Sequence, residues 1–255
     1  MSLLQRSLFS ALLGAALLQG AHANTLLILT DDFGSGAPVT ELDARGFSAT
    51  DYDDLSSGTP SLSLLQGFDE VLEYTDYPSN DPTALGNVLG QYVAGGGHVV
   101  IGTYAMSDPW AVGGSIASLN PLVNVGSNTG VSGAIVLTAA GANLGVGVDF
   151  NTLSYYNNGN FADPTLAAGA TLLATDGAGV DMIAINSANN VIGFNTFPND
   201  QSGVDNDQYY NLLGNVLNDF GPSAQSAPDA TSTALLLLVG AVSACFIARK
   251  QTQRA

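Results

Sequence analysis

Asp81-Pro82-Thr83-Ala84-Leu85-Gly86-Asn87-Val88-Leu89-Gly90-Gln91-Tyr92-Val93-Ala94-Gly95-Gly96-Gly97-His98-Val99-Val100-Ile101-Gly102-Thr103 is the stretch from which the fold can be read. Asp81 suits a helix N-cap, because its short carboxylate can accept from the free N–H groups of a first turn. Pro82 suits the first helical position. Leu85, Val88, Leu89, Tyr92 and Val93 then recur at helical spacing. The three glycines stop the helix, and His98 to Thr103 reads as a strand. Upstream, Phe68 to Tyr74 reads as a less regular strand. Strand, helix and strand in that order imply a parallel βαβ crossover.

Working outward, Thr25-Leu26-Leu27-Ile28-Leu29-Thr30 is a continuous apolar run, as expected of a parallel strand buried on both faces. Further strands are expected over Gly133–Thr138, Val146–Tyr155, Ala170–Thr175, Asp181–Asn186 and Val191–Thr196. The last two are joined by Ser187-Ala188-Asn189-Asn190, which reads as a hairpin loop. A final helix is expected from about Asp207 to Phe220, with Tyr210, Leu213, Val216 and Leu217 on one face. No repeat of 20–50 residues is present.

Composition narrows the function. The chain has 255 residues, 46% of them hydrophobic, and a net charge of -17. Its mean hydropathy is +0.23. Such apolar content excludes a disordered acidic tail. Between Asn24 and Ala227 the only Lys or Arg is Arg45, against 21 acids (the 22 of the chain less Asp229). Nucleic acid is therefore no partner, because almost nothing could neutralise phosphate. Nineteen of the acids are Asp, which favours turns and caps and suggests a loop-rich, solvated surface. Calcium held by carboxylates is the sharper alternative.

The two ends read as processing segments. Arg6, the apolar run Leu8–Leu18 and Ala21-His22-Ala23 have the order of a secretory signal peptide, with signal peptidase cutting after Ala23. Ala230 to Ala248 is a stretch of 19 residues without a formal charge, followed by Arg249, Lys250 and Arg254. At the helical rise it covers roughly 28 Å, enough for one transmembrane helix. The positive-inside rule keeps the basic tail in the cytoplasm and the acidic domain outside. The expected divisions are thus a signal peptide over 1–23, an α/β domain over 24–220, and a linker with motif over 221–229. A transmembrane helix over 230–248 and a basic tail over 249–255 follow. The single Cys, Cys245, lies within the span, so no disulfide scaffold is available.

Ala227-Pro228-Asp229-Ala230-Thr231-Ser232-Thr233, the apolar span and the basic tail together resemble the PEP-CTERM class of sorting signals in its VPD-type variant. The resemblance implies recognition and cleavage near Pro228 and Asp229 by an exosortase-like protease in the inner membrane. It also implies delivery to the cell surface or the extracellular polysaccharide matrix, with a transient or permanent C-terminal anchor. Here Ala227 stands where the class usually has Val, and Ala230-Thr231 where it has a small residue and Gly.

The element order, together with Tyr74–Gly86 and Gly95–Ala105, resembles the class I glutamine amidotransferase-like fold and its ThuA-like relatives. That resemblance implies a flavodoxin-like three-layer α/β sandwich with a mostly parallel sheet. In active amidotransferases the strand matching His98–Thr103 ends in a turn that carries a nucleophilic Cys. Thr103 stands about there in this chain.

Residues 24–227 contain no Cys, so no thiolate is available. Their one His, His98, starts the strand, roughly 17 Å from Thr103. No Cys–His or Ser–His pair can be assembled from it; it reads as a strand-edge hydrogen bonder. Lys is absent outside the tail, which excludes a Schiff base, and zinc lacks its His ligands. Asp31 and Asp32 follow the first strand, Asp76 the next, and Asp108 follows Thr103. In open α/β sheets ligands bind at the carboxyl ends of strands, so these acids could share one crevice with Thr103. They could equally cap the helices that follow. A carboxylate pair could run glycoside hydrolysis. Asp51, Asp53 and Asp54, and Asp205 and Asp207, have the alternating oxygens of calcium loops without full EF-hand spacing. The expectation is a secreted, non-enzymatic surface or matrix protein without a required cofactor. The alternatives are a calcium- or carbohydrate-binding module and a carboxylate-dependent glycoside hydrolase.

Overall fold

The order of the strands follows from how buried each can be. The computed structural model describes residues 23–30, 36–75, 77–106, 110–124, 134–153, 163–198 and 206–220. Strand β1 (Thr25–Thr30) lies between β2 (Ser48–Asp53) and β3 (Glu70–Tyr74), parallel to both. Next come β4 (His98–Gly102), parallel to β3, and β10 (Val191–Phe194), parallel to β4. The sheet then turns antiparallel through β9 (Asp181–Ile185), β8 (Thr171–Thr175) and β6 (Val136–Leu137). The full order is β2-β1-β3-β4-β10-β9-β8-β6. A separate pair joins β5 (Leu122–Asn124) to β7 (Pro164–Leu166).

Helix α1 (Gly36–Asp43) links β1 to β2. Two short helices, α2 (Asp54–Ser57) and α3 (Leu62–Leu65), return the chain past β1 to β3. Helix α4 (Pro82–Ala94) links β3 to β4, and α5 (Asn206–Asn218) follows β10. Because β2 lies on one side of β1 and β3 on the other, the direction of winding reverses between β1 and β3.

The sheet divides two apolar layers. Leu26, Ile28, Leu72, Tyr74 and Val100 face Leu42 of α1 and Tyr209, Leu213, Val216 and Leu217 of α5. Leu27, Leu29, Val71, Val99 and Ile101 face Leu65 of α3 and Leu85, Leu89, Tyr92 and Val93 of α4. This is a three-layer α/β sandwich with a mostly parallel sheet, as the resemblance implies. Asp81 caps α4 by accepting from Ala84 N–H at 2.9 Å, with Pro82 in the first turn.

Two expectations are corrected. Asp51-Tyr52-Asp53-Asp54 is not a loop: Asp51 and Asp53 belong to edge strand β2, and Asp54 opens α2. Pairing with β1 along its whole length makes it a strand despite its polar sequence. No strand forms over residues 146–153, where a strand was expected. Side-chain amides of α5 take the carbonyls a ladder would need: Asn215 donates to Leu144 and Val146 O, both at 2.8 Å, and Asn211 to Gly147 O. Gly147 adopts φ +71°, which ends extended backbone there.

Ala23 is exposed. The remainder of the expected signal peptide lies outside the described residues. So do Pro228, Asp229, the apolar segment 230–248 and the basic tail. Among the described residues no helix is long and apolar enough to cross a membrane.

Candidate functional site

The carboxyl ends of β1, β3 and β4 meet at the edge where the winding reverses, the usual ligand position in such sheets. Three threonines mark those ends, and all are buried: Thr30, Thr75 and Thr103. Asp31, Asp32, Asp76 and Asp108, the acids expected to line this crevice, lie outside the described residues. Thr103 follows β4 directly. Its Oγ1 donates to Asn195 Oδ1 at 3.2 Å, and its N–H donates to Thr196 O at 3.3 Å. Gly102 lets β4 pass close to β3, since a Cβ there would meet Tyr74 Cβ at 2.9 Å.

Aromatic rings close the α5 side of this edge. Tyr74 meets Phe197 edge-on at 5.4 Å, Tyr104 meets Trp110 edge-on at 5.4 Å, and Tyr104 meets Phe197 at 5.6 Å. Behind them Thr196 Oγ1 and Tyr209 OH share a hydrogen bond at 3.0 Å. Burial pushes the Tyr209 phenol well above its ordinary range, so it stays neutral.

On the α4 side the edge is acidic. Glu73, the penultimate residue of β3, is 2% exposed and sits in register between Leu29 and Ile101. Its Oε2 has no hydrogen-bond partner among the described residues. Burial holds its carboxyl well above the usual carboxylate range, and the Asp54 charge adds to the effect. Asp54 is buried too; desolvation pushes it up to about 6, against a lowering backbone hydrogen bond. Asn80 Nδ2 donates to Asp54 O at 3.2 Å and Leu55 O at 2.8 Å, fixing the β3–α4 loop against α2. In that loop Ser79 Oγ is buried without a partner among the described residues. Asp53 is engaged as the N-cap of α2, accepting from Leu55 and Ser56 N–H.

Sequence reasoning included Asp54 among calcium candidates but passed over Glu73. The signal was present: β3 is a central parallel strand, and such strands are buried on both faces. An acid within it had to be buried.

Two other expectations fall away from this edge. Asp207 lies in the first turn of α5 and pairs with Arg45 at 3.4 Å; Asp205 lies outside the described residues. The Arg45 guanidinium also binds the Glu41 carboxylate at 2.7 Å and Asn211 Oδ1 at 3.0 Å, clamping α1 to α5. A cleft of about 290 Å³ opens beside it, lined by Phe47, Asn211 and Asn215 among others. His98, at the amino end of β4, is nine-tenths buried, as far along the strand from Thr103 as the sequence implied. Its Nδ1 has no partner among the described residues, and the ring stacks on Phe220 at 4.6 Å. Among the described residues no three His, Cys, Asp or Glu side chains gather as metal ligands.

No protein-family model matches the sequence, and no curated protein matches it. Solved structures do. A protein assigned as a GMP synthase component from Thermoplasma acidophilum superposes with a TM-score of 0.53 at 14% identity, over 77% of this chain and 96% of that one. A glutamine amidotransferase from Methylobacillus flagellatus gives a TM-score of 0.50 at 12% identity, over 78% and 94%. A ThuA-like protein from Bacteroides uniformis gives 0.48 at 13% identity, over 78% and 92%. At these identities the likeness is one of fold, and the fold is glutamine amidotransferase-like.

Proposed function

We propose that this chain is a secreted, non-catalytic cell-surface or matrix protein, sorted by an exosortase-like protease acting near Pro228 and Asp229. Its domain is an amidotransferase-like scaffold without the amidotransferase chemistry. The observation that carries the second point is the state of Thr103. It stands where the fold's relatives hold their nucleophile, yet it is fully buried and its hydroxyl is spent on Asn195. Residues 24–227 have no Cys, and His98 is at the opposite end of the strand. Among the described residues the Thr103 hydroxyl is hydrogen-bonded to an amide oxygen rather than to a base, and a hydroxyl without a base is a poor nucleophile. The signal-peptide order of residues 1–23, the Pro-Asp motif and the apolar span support the sorting part.

The test is the intact mass of the protein recovered from its native host. The expected chain begins at Asn24 and ends near Pro228–Asp229. A mass running through Ala255 would overturn the sorting reading. Glutaminase or hydrolase activity lost on Asp32→Ala or Asp76→Ala would overturn the non-catalytic reading.

A further inference from the structure

We propose that Glu70, His98 and Phe220 form a proton-linked latch that holds the C-terminal end of α5 on the amino end of the sheet. The latch stands whether or not the sorting reading holds.

The strand register supplies the geometry. Glu70 opens β3 between Leu26 of β1 and His98 of β4, its partners in the two parallel ladders. Side chains alternate along a strand, so Glu70 shares the layer of Leu72 and Tyr74, and His98 that of Val100. This is the layer of α5. There Phe220, two residues past the end of α5, stacks on the His98 ring at 4.6 Å and within 11° of parallel. Acid and base are thus side by side, and an aromatic ring covers the base. Both are buried, and each keeps one polar atom, Glu70 Oε2 and His98 Nδ1, without a partner among the described residues.

A charge on either group is costly in such a place. The groups around them supply no cation. Asp69 of β3 is exposed and accepts from Thr25 N–H at 2.9 Å and Thr25 Oγ1 at 2.8 Å. Tyr92 of α4 donates to Phe68 O at 3.0 Å, and burial holds its phenol above the ordinary range. Asp219, beside Phe220, is half-buried, and burial raises its carboxyl too. Arg45, the one Lys or Arg between residues 24 and 227, is committed to Glu41, Asp207 and Asn211.

Burial raises the Glu70 carboxyl from 4.5 to about 8 and lowers His98 below 6.5. The closed latch therefore keeps a Glu70 proton that the open, solvated state gives up above pH 4.5. Opening becomes easier as pH rises towards 8, by up to about tenfold per unit. His98 acts the other way, because the open state takes up a proton as pH falls through 6.5. Below pH 6.5 the two trends oppose each other; from 6.5 to 8 the Glu70 trend acts alone. A rise in pH thus releases Phe220, which stands eight residues before Pro228.

Hydrogen–deuterium exchange of the full chain from pH 5 to 9, corrected for intrinsic rates, tests the latch. Amides of residues 216–220 are expected to exchange faster than those of β1, and roughly thirty-fold faster at pH 8 than at pH 6.5. Glu70→Gln should lose that rise. Phe220→Ala keeps both titrating groups and should leave these amides fast at every pH; it serves if Glu70→Gln fails to fold. Parent rates that are flat between pH 6.5 and 8, or no faster than those of β1, would overturn the proposal. A rise that survives either substitution would place the proton elsewhere and overturn it equally.

Discussion

Glu70 and Glu73 stand three residues apart on one strand, yet their side chains enter opposite layers and opposite ends of the sheet. Both are nearly inaccessible to water, and burial is the main force holding each carboxyl above its ordinary range. They differ in what faces them. Glu70 is in register with His98 on β4, a neighbour that can hold a proton. Its carboxyl is pushed up to about 8, with the Asp69 charge as the lesser cause. Glu73 has Asp54 within reach, another acid. An acid beside a base can stay uncharged within the protein. At both ends a buried carboxylate oxygen, Glu70 Oε2 and Glu73 Oε2, is left without a hydrogen-bond partner among the described residues, and so is His98 Nδ1.

The comparison can be broken at several points, the largest effect first. Glu70→Gln should change the pH dependence of stability most. The folded carboxyl at about 8 lies above the unfolded value of 4.5, so its contribution is fully present below pH 4.5 and is lost as pH rises to 8. The variant lacks that loss, so its advantage over the parent should grow across this window to the order of 3 kcal/mol. Urea unfolding at pH 5 and pH 8.5 measures it, and parallel profiles would show that Glu70 is solvated.

Thr103→Val should cost about 1–2 kcal/mol, because it leaves the buried Asn195 Oδ1 without its donor. Equilibrium unfolding would show this. A loss of enzymatic activity without loss of stability would instead mark a working hydroxyl.

The smallest expected effect is that of His98→Gln. At pH 8 the lost stack on Phe220 should cost about 1 kcal/mol. Burial lowers the His98 pKa below 6.5, against a smaller opposing effect of Asp69. The parent therefore loses stability as pH falls through 6.5, and the variant does not. The gap between the two should narrow on acidification; a gap that widens would mean His98 is stabilised as a cation.

Much of the fold was legible because its signals are local. The apolar run Thr25–Thr30, the Asp81-Pro82 start of α4, its glycine stop and the β9–β10 hairpin each carry their own chemistry, and each forms where expected. Helix α1 and strand β2 were not read, because neither has a clear apolar period. They depend on partners: β2 pairs with β1 throughout, and Leu42 of α1 packs against Tyr209 and its neighbours. Val146 to Leu153 failed in the opposite sense. Its sequence suits a strand, but the amides of Asn211 and Asn215, more than 50 residues away, claim its backbone.

The candidate site divides in the same way. From sequence alone came the absence of Cys and of a placed base between residues 24 and 227, the excess of acids over cations, and the processing-like ends. These are inventories, and folding cannot alter them. Only the tertiary structure decided which acids lose their water. Asp51, Asp53 and Asp54 are neighbours in the chain, yet one is exposed on an edge, one caps a helix and one is buried. Glu73 is buried as well, because β3 lies inside the sheet between β1 and β4 and all five of its residues are buried.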